Sequence, residues 1–259
     1  MTALVRAELH KLFTTRLWWI MMIVMILLIG ISLGFAIGSA GVESNGLSTP
    51  ARTSPEWLEL AWSAGASGSI FVMILGVIMM TSEYRYQTVT GTFLATPRRT
   101  PVIAAKLVAG LIVGALFAVA ALLFETVVAI PAVLISGGEV SLTASHIPQI
   151  SLGILANLAL NVLFGIGLGA LVRNQIAGVV AAIVWSYAIE GIFSSFPALQ
   201  PVGKWLPGGA ARALMSIDID TGLGRPDLLP AWAGALVLIA YAVLFAFVAS
   251  ATTVRRDIT

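Results

Sequence analysis

Two carboxylates, Glu125 and Glu190, stand alone inside long apolar runs of this 259-residue chain. A charge at the centre of a spanning helix costs about 2.5–3.5 kcal/mol on insertion scales, so such residues face a bundle interior or water and often mark function. Two roles are open to them: hydrogen bonding to a neighbouring helix or the outer interface, or a place in an outward path, for a cationic substrate or for gating. His146 lies close in sequence to Ser141 and Ser145, the outline of a nucleophile and its base. No third group that would orient the base is evident, and a surface histidine is the plainer reading.

Other patterns imitate sites without their context. Gly165-Ile166-Gly167-Leu168-Gly169 has dinucleotide-loop spacing but follows no strand and lies within an apolar run. Asp218-Ile219-Asp220-Thr221-Gly222 starts like a calcium loop yet lacks the further acidic ligands and the closing glutamate. The Gly203-Lys204 pair is followed by Trp205, and no phosphate-cradling G-x-x-x-x-G-K-[ST] run occurs. Cysteine is absent, which removes thiol catalysis, disulfides and thiolate metal sites. The two histidines, His10 and His146, fall on opposite sides of the expected topology and share no metal. We therefore expect neither a catalytic site, nor a metal site, nor a bound cofactor on this chain.

Composition dictates the solvent. Charged residues make up 10% and hydrophobic ones 59%, whereas soluble domains carry about 25% charged residues. The apolar runs suit a bilayer core that needs roughly 20 residues per helix. The expected fold is an all-α membrane protein, one transmembrane domain over 1–259, with spans at 17–40, 56–81, 107–134, 150–172, 176–196 and 232–253. The first run exceeds the 7–15 residues of a signal-peptide core and reads as a span. Ser54 reads as the N-cap of the second span, with Pro55 at its first position and Glu56 in its first turn. Counting about 1.5 Å per residue, Glu125 and Glu190 fall in the outer half at broadly similar depth.

Lysine and arginine set the orientation. With the first residue inside, Arg6, Lys11, Arg16, Arg85, Arg98, Arg99, Lys106, Arg173, Arg255 and Arg256 are cytoplasmic, and Arg52, Lys204, Arg212 and Arg225 are outside. Ten against four places both termini in the cytoplasm. The net charge of +2 says little about nucleic acid, and no nucleic-acid partner is expected.

The segment 4–16 places Val5, Leu9, Leu12 and Phe13 on one helical face, with Arg6, Glu8, His10 and Lys11 mostly elsewhere. That suits a helix lying along the membrane surface, with simple extension of the first span as the other reading. Glycines four apart (Gly30, Gly34 and Gly38; Gly110 and Gly114; Gly165 and Gly169) allow close helix approach. This serves packing within the bundle or, most plausibly for the first triplet, contact with another copy.

The polar segment 82–106 is too charged to span and too long for a tight turn. Its charges, aromatics and hydroxyls suit a protein docking surface, the other reading being a solvated loop held near anionic lipid by Arg98 and Arg99. Glu83 closing the second span, Arg85 and Thr88 after it, Thr96-Pro97-Arg98-Arg99 and then Lys106 closely resemble the ATP-binding-cassette type-2 permease family. Arg6-Ala7-Glu8-Leu9-His10-Lys11-Leu12 before Trp18-Trp19 resembles that family's elbow helix. Trp205-Leu206-Pro207-Gly208-Gly209-Ala210 is similar to bacterial, especially actinobacterial, members.

The resemblance implies an exporter permease in a bacterial cytoplasmic membrane, pairing with a second permease copy, identical or related. Two separate ATPase subunits would bind ATP and Mg. The loop with Glu83, Arg85, Thr88 and Pro97 would be the coupling helix, and 197–231 would hold short re-entrant helices, one of them near 208–217. The cargo expected is hydrophobic or amphipathic, moved by alternating access. The alternatives are an intramembrane enzyme using Glu125, Glu190 or His146, and a non-transporting sensory or immunity assembly on the same fold. With no native cysteine, single-cysteine labelling tests the topology. A cysteine placed at position 220 is expected to react from outside the cell, and reaction only from the cytoplasm overturns the six-span layout.

Overall fold

A computed structural model describes residues 1–44, 47–86, 99–141, 146–196, 198–215 and 227–254. Apart from a two-residue antiparallel pair, Glu43–Ser44 with Leu47–Ser48, the regular elements among them are helical. Helix α1 spans Thr2–Phe13 and α2 Leu17–Gly38. Next come α3, Pro55–Trp62, a 3-10 stretch, Ser63–Gly68, and α4, Ser69–Arg85. Helix α5 covers Arg99–Ile135 and α6 Ile147–Val172. Helix α7, Gln175–Ile183, passes through a π segment, Val184–Ile189, into α8, Glu190–Ser195. The short α9, Gln200–Gly203, and α10, Pro207–Met215, precede α11, Ala231–Val254.

Five of these runs are long and apolar enough to cross a membrane: Leu17–Gly38, Pro55–Arg85, Pro101–Ile135, Ile147–Val172 and Gln175–Ser195. The architecture is that of an all-α protein embedded in lipid.

The termini of these helices explain themselves. The Ser54 side chain accepts from the Trp57 amide, with Pro55 in the first turn of α3. The last carbonyls of α2 are claimed by Arg52, bonded through Nη2 to the Ile37 carbonyl at 2.7 Å, and by Trp57 Nε1 on Ala36 at 3.0 Å. Arg173 takes the left-handed conformation that stops α6, and the Asn174 side chain caps α7 through the Ala177 amide.

Several boundaries depart from the sequence reading. The second span runs on to Arg85 rather than stopping at 81, and α5 begins at Arg99 rather than 107. Lys106 therefore sits in the third turn of a helix, not in a loop, its charge paired with Glu8 and Glu83. Residues 14–16 separate α1 from α2, and α1 packs on the start of α5. Its inner face holds Leu12 with Val5 and Leu9, as expected from their spacing, but also Glu8, while Phe13 is exposed. A short helix in the 197–231 region is present as α10. The candidate calcium turn at Asp218 and Asp220 lies outside the described residues.

Helix α6 is the hub, packed on α4, α5, α10 and α11. Its contact with α4 is made of missing side chains. A Cβ on Gly165 would collide with the Met73 carbonyl oxygen, and one on Gly76 with that of Val162. Gly114 of α5 likewise abuts the Ala159 backbone. By contrast Gly34 and Gly38 of α2 face open space, and Gly30 meets only Phe124. Gly165→Ala should therefore destabilise the protein by about 1–3 kcal/mol through overpacking, while Gly34→Ala leaves it unchanged. Thermal unfolding of the purified protein in detergent measures both.

Candidate functional site

Two polar clusters interrupt the apolar interior. The first lies where α1, α4 and α5 meet. Lys106 Nζ bonds Glu8 Oε2 at 2.5 Å, Glu83 Oε1 at 3.0 Å and the Met79 carbonyl at 3.1 Å. Lys11 Nζ closes the ring on Glu8 Oε1 at 2.6 Å and Glu83 Oε1 at 3.0 Å. Glu8, Glu83 and Lys106 are 6%, 8% and 3% exposed, whereas the Lys11 side chain is 48% exposed. Two carboxylates face two ammonium groups, and all three Lys106 donors are used. Burial of Lys11 works against its charge, but hydrogen bonds and the field of Glu8 and Glu83 outweigh that, raising its pKa above the ordinary 10.5. Because the folded value is the higher one, the stability Lys11 contributes is complete below 10.5 and fades only as pH climbs through the raised value.

Arg85, one turn end beyond, bonds Gln175 Oε1 through Nη1 at 3.1 Å, and the Arg173 guanidinium lies over the Tyr84 ring. Arg85 and Arg173 are thus engaged within this chain. Glu83, expected to be offered to a partner, is instead turned inward onto Lys106 and Lys11, since an unpaired buried carboxylate would be far costlier. Thr88 and Pro97 lie outside the described residues.

The second cluster surrounds a cavity of about 380 Å³ within the membrane-spanning region. Spans two and five both lose regular α geometry beside it, as the 3-10 stretch and the π segment. Ser67 and Ser69 line it from one side, Ser186, Tyr187 and Glu190 from another, Asn157 and Asn161 from α6, and Arg212 from α10. Glu190 Oε1 accepts from the Gly208 amide at 3.0 Å and from Trp185 Nε1 at 3.1 Å. Asn161 Nδ2 donates to the Asn157 carbonyl and side-chain oxygens at 2.9 and 2.7 Å.

No family model matches the chain, and no curated protein matches it either.

The structure separates the two acids that sequence alone could not. Glu190 lines the cavity. Glu125 is fully buried on α5, neither of its oxygens meets hydrogen-bond geometry with a partner among the described residues, and its carboxyl lies against the Gly65 backbone of the 3-10 stretch. His146 Nδ1 pairs with Glu59 Oε1 at 2.8 Å and is exposed. Asn157, Asn161 and Arg212 escaped notice as a set, although two asparagines four apart in an apolar span are a polar stripe. Among the described residues no group of three metal-ligating side chains occurs.

Removing one partner from a buried ion network costs about 3–5 kcal/mol, so Lys106→Met should lower stability by that much. Lys11→Ala, on the exposed flank, should cost about 1 kcal/mol or less. Denaturant unfolding in detergent distinguishes them.

Proposed function

We propose that this chain is the permease subunit of an ATP-driven exporter resembling the ATP-binding-cassette type-2 family. The observation that supports it most is the ion network around Lys106, which brackets the segment 87–98. Glu83 sits in the last turn of α4 and Lys106 in the third turn of α5, and both are bonded through Glu8 or Lys11 to α1. In this reading the bracketed segment, with Arg85, Thr88 and Pro97, seats in a separate ATPase. Displacement there passes through Lys106 to α1, α4 and α5 as one unit, which is the coupling that alternating access requires.

The rest of the reading follows from this. Helix α11 is the sixth span, both termini are cytoplasmic, and the membrane is the bacterial cytoplasmic one. A second permease copy covers the exposed apolar faces of α2 and α7, where Ile31, Phe35 and Ile176 point outward. Two ATPase subunits hold ATP and Mg, and this chain hydrolyses none itself. The cargo is hydrophobic or amphipathic, its polar part received by the cavity beside Glu190.

Inside-out vesicles holding the chain and its ATPase should take up an amphipathic dye with ATP and not without it. Uptake independent of any ATPase sinks the exporter reading, and ATPase binding without uptake favours a sensory assembly. Glu190→Gln should reduce uptake about tenfold, the size of one lost charge-assisted bond, while Glu125→Gln, outside the cavity, transports normally.

A further inference from the structure

The hydrogen-bond inventory of the membrane cavity is unbalanced in a way that describes a ligand. Glu190 uses Oε1 for both of its bonds, and among the described residues nothing bonds Oε2. The orientation of Asn161 is fixed, because its Nδ2 donates to a backbone carbonyl, which can only accept. Its Oδ1 is thereby left as an acceptor, and the Asn157 amide nitrogen as a donor. Ser67 spends its proton on the Ala64 carbonyl and keeps its acceptor capacity. On this side the cavity wants a donor of several protons, which an ammonium group is.

Arg212 supplies the opposite need. It stands four residues after Gly208 on α10, and its Nε reaches back to the Gly208 carbonyl at 3.4 Å, leaving the terminal nitrogens for other acceptors. Glu190 is anchored at the Gly208 amide and the Arg212 guanidinium at the Gly208 carbonyl, so carboxylate and guanidinium flank one and the same residue. One negative and one positive group held this close select a ligand that is itself dipolar, with its two charges joined by a short spacer. Leu28, Ile70 and Met215 complete the wall with apolar surface.

We infer that this cavity binds the zwitterionic headgroup of an amphiphile bearing a primary ammonium joined to a phosphate by a two-carbon spacer, ammonium toward Glu190 and Asn161, phosphate toward Arg212. A trimethylated ammonium has no N–H to offer Glu190 Oε2 or Asn161 Oδ1, and an anionic headgroup leaves Glu190 facing like charge. The inference deepens the exporter reading and rests on it only for the role of the bound molecule as cargo.

Native mass spectrometry of the chain released from nanodiscs tests binding directly. The discs contain equal parts phosphatidylethanolamine, phosphatidylcholine and phosphatidylglycerol with identical acyl chains. We expect one phosphatidylethanolamine retained per chain, about tenfold over either other lipid, and that preference lost in Glu190→Gln, which keeps the Oε1 bonds but replaces Oε2 by a donor. Asn161→Leu gives a second, independent loss should Glu190→Gln fold poorly. Displacement by soluble phosphoethanolamine identifies the headgroup alone as the ligand, and retention against it identifies the intact lipid. Equal retention of the three lipids, or a preference unaltered in both variants, overturns the site. Selective binding without ATP-dependent movement of that lipid would leave the site standing and remove the exporter reading instead.

Discussion

A single ammonium group holds the basic end of this molecule together. Lys106 carries a charge into a region 3% exposed, and desolvating it is tolerable only because two carboxylates and a carbonyl surround it. Those three oxygens come from α1 and α4, so the helix that lies before the first span, the end of the second span and the start of the third are obliged to meet. Hydrophobic packing of Leu12, Val5 and Leu9 would hold α1 loosely at many angles. The directional bonds of Lys106 choose one.

The same logic, inverted, governs the cavity. In lipid every backbone group must be satisfied within the protein, and irregular helix is tolerated where it is buried or lines a polar space. Both irregular stretches here, Ser63–Gly68 and Val184–Ile189, border the cavity where serine, asparagine and glutamate side chains gather. A 3-10 turn turns successive residues by a different angle from an α turn, and this brings Ser67 and Ser69 of the second span both onto the cavity. Glu125 occupies the other side of the 3-10 stretch, against Gly65, where any larger residue would strike its carboxyl.

Much of the helical layout was readable from the order of residues because lipid imposes a length on every span, and Ser54-Pro55-Glu56 announced a helix start by local chemistry alone. Pairings across the fold were not readable. Glu8 sits beside Lys11 at i, i+3, a pattern that reads as a solvated surface pair. Only tertiary structure brings Lys106, 98 residues away, to bury it. Arg85 and Glu83 look alike in sequence as charges leaving a span, yet one faces out to Gln175 and the other inward. Glu125 and Glu190 were equivalent by depth; which neighbour each met, Gly65 or Gly208, separated them.

The glycine contacts between α4 and α6 carry a mechanical consequence. Gly165 faces the Met73 carbonyl while Gly76 faces that of Val162, so each helix supplies the gap that the other's backbone fills. Sliding either helix along the other by one residue replaces both gaps with side chains. The pair therefore behaves as a keel, a stiff beam without a neighbouring register to slip into. Helices α2 and α7, by comparison, keep little of their surface inside the molecule. Any large change of shape must therefore carry α4 and α6 together as one body.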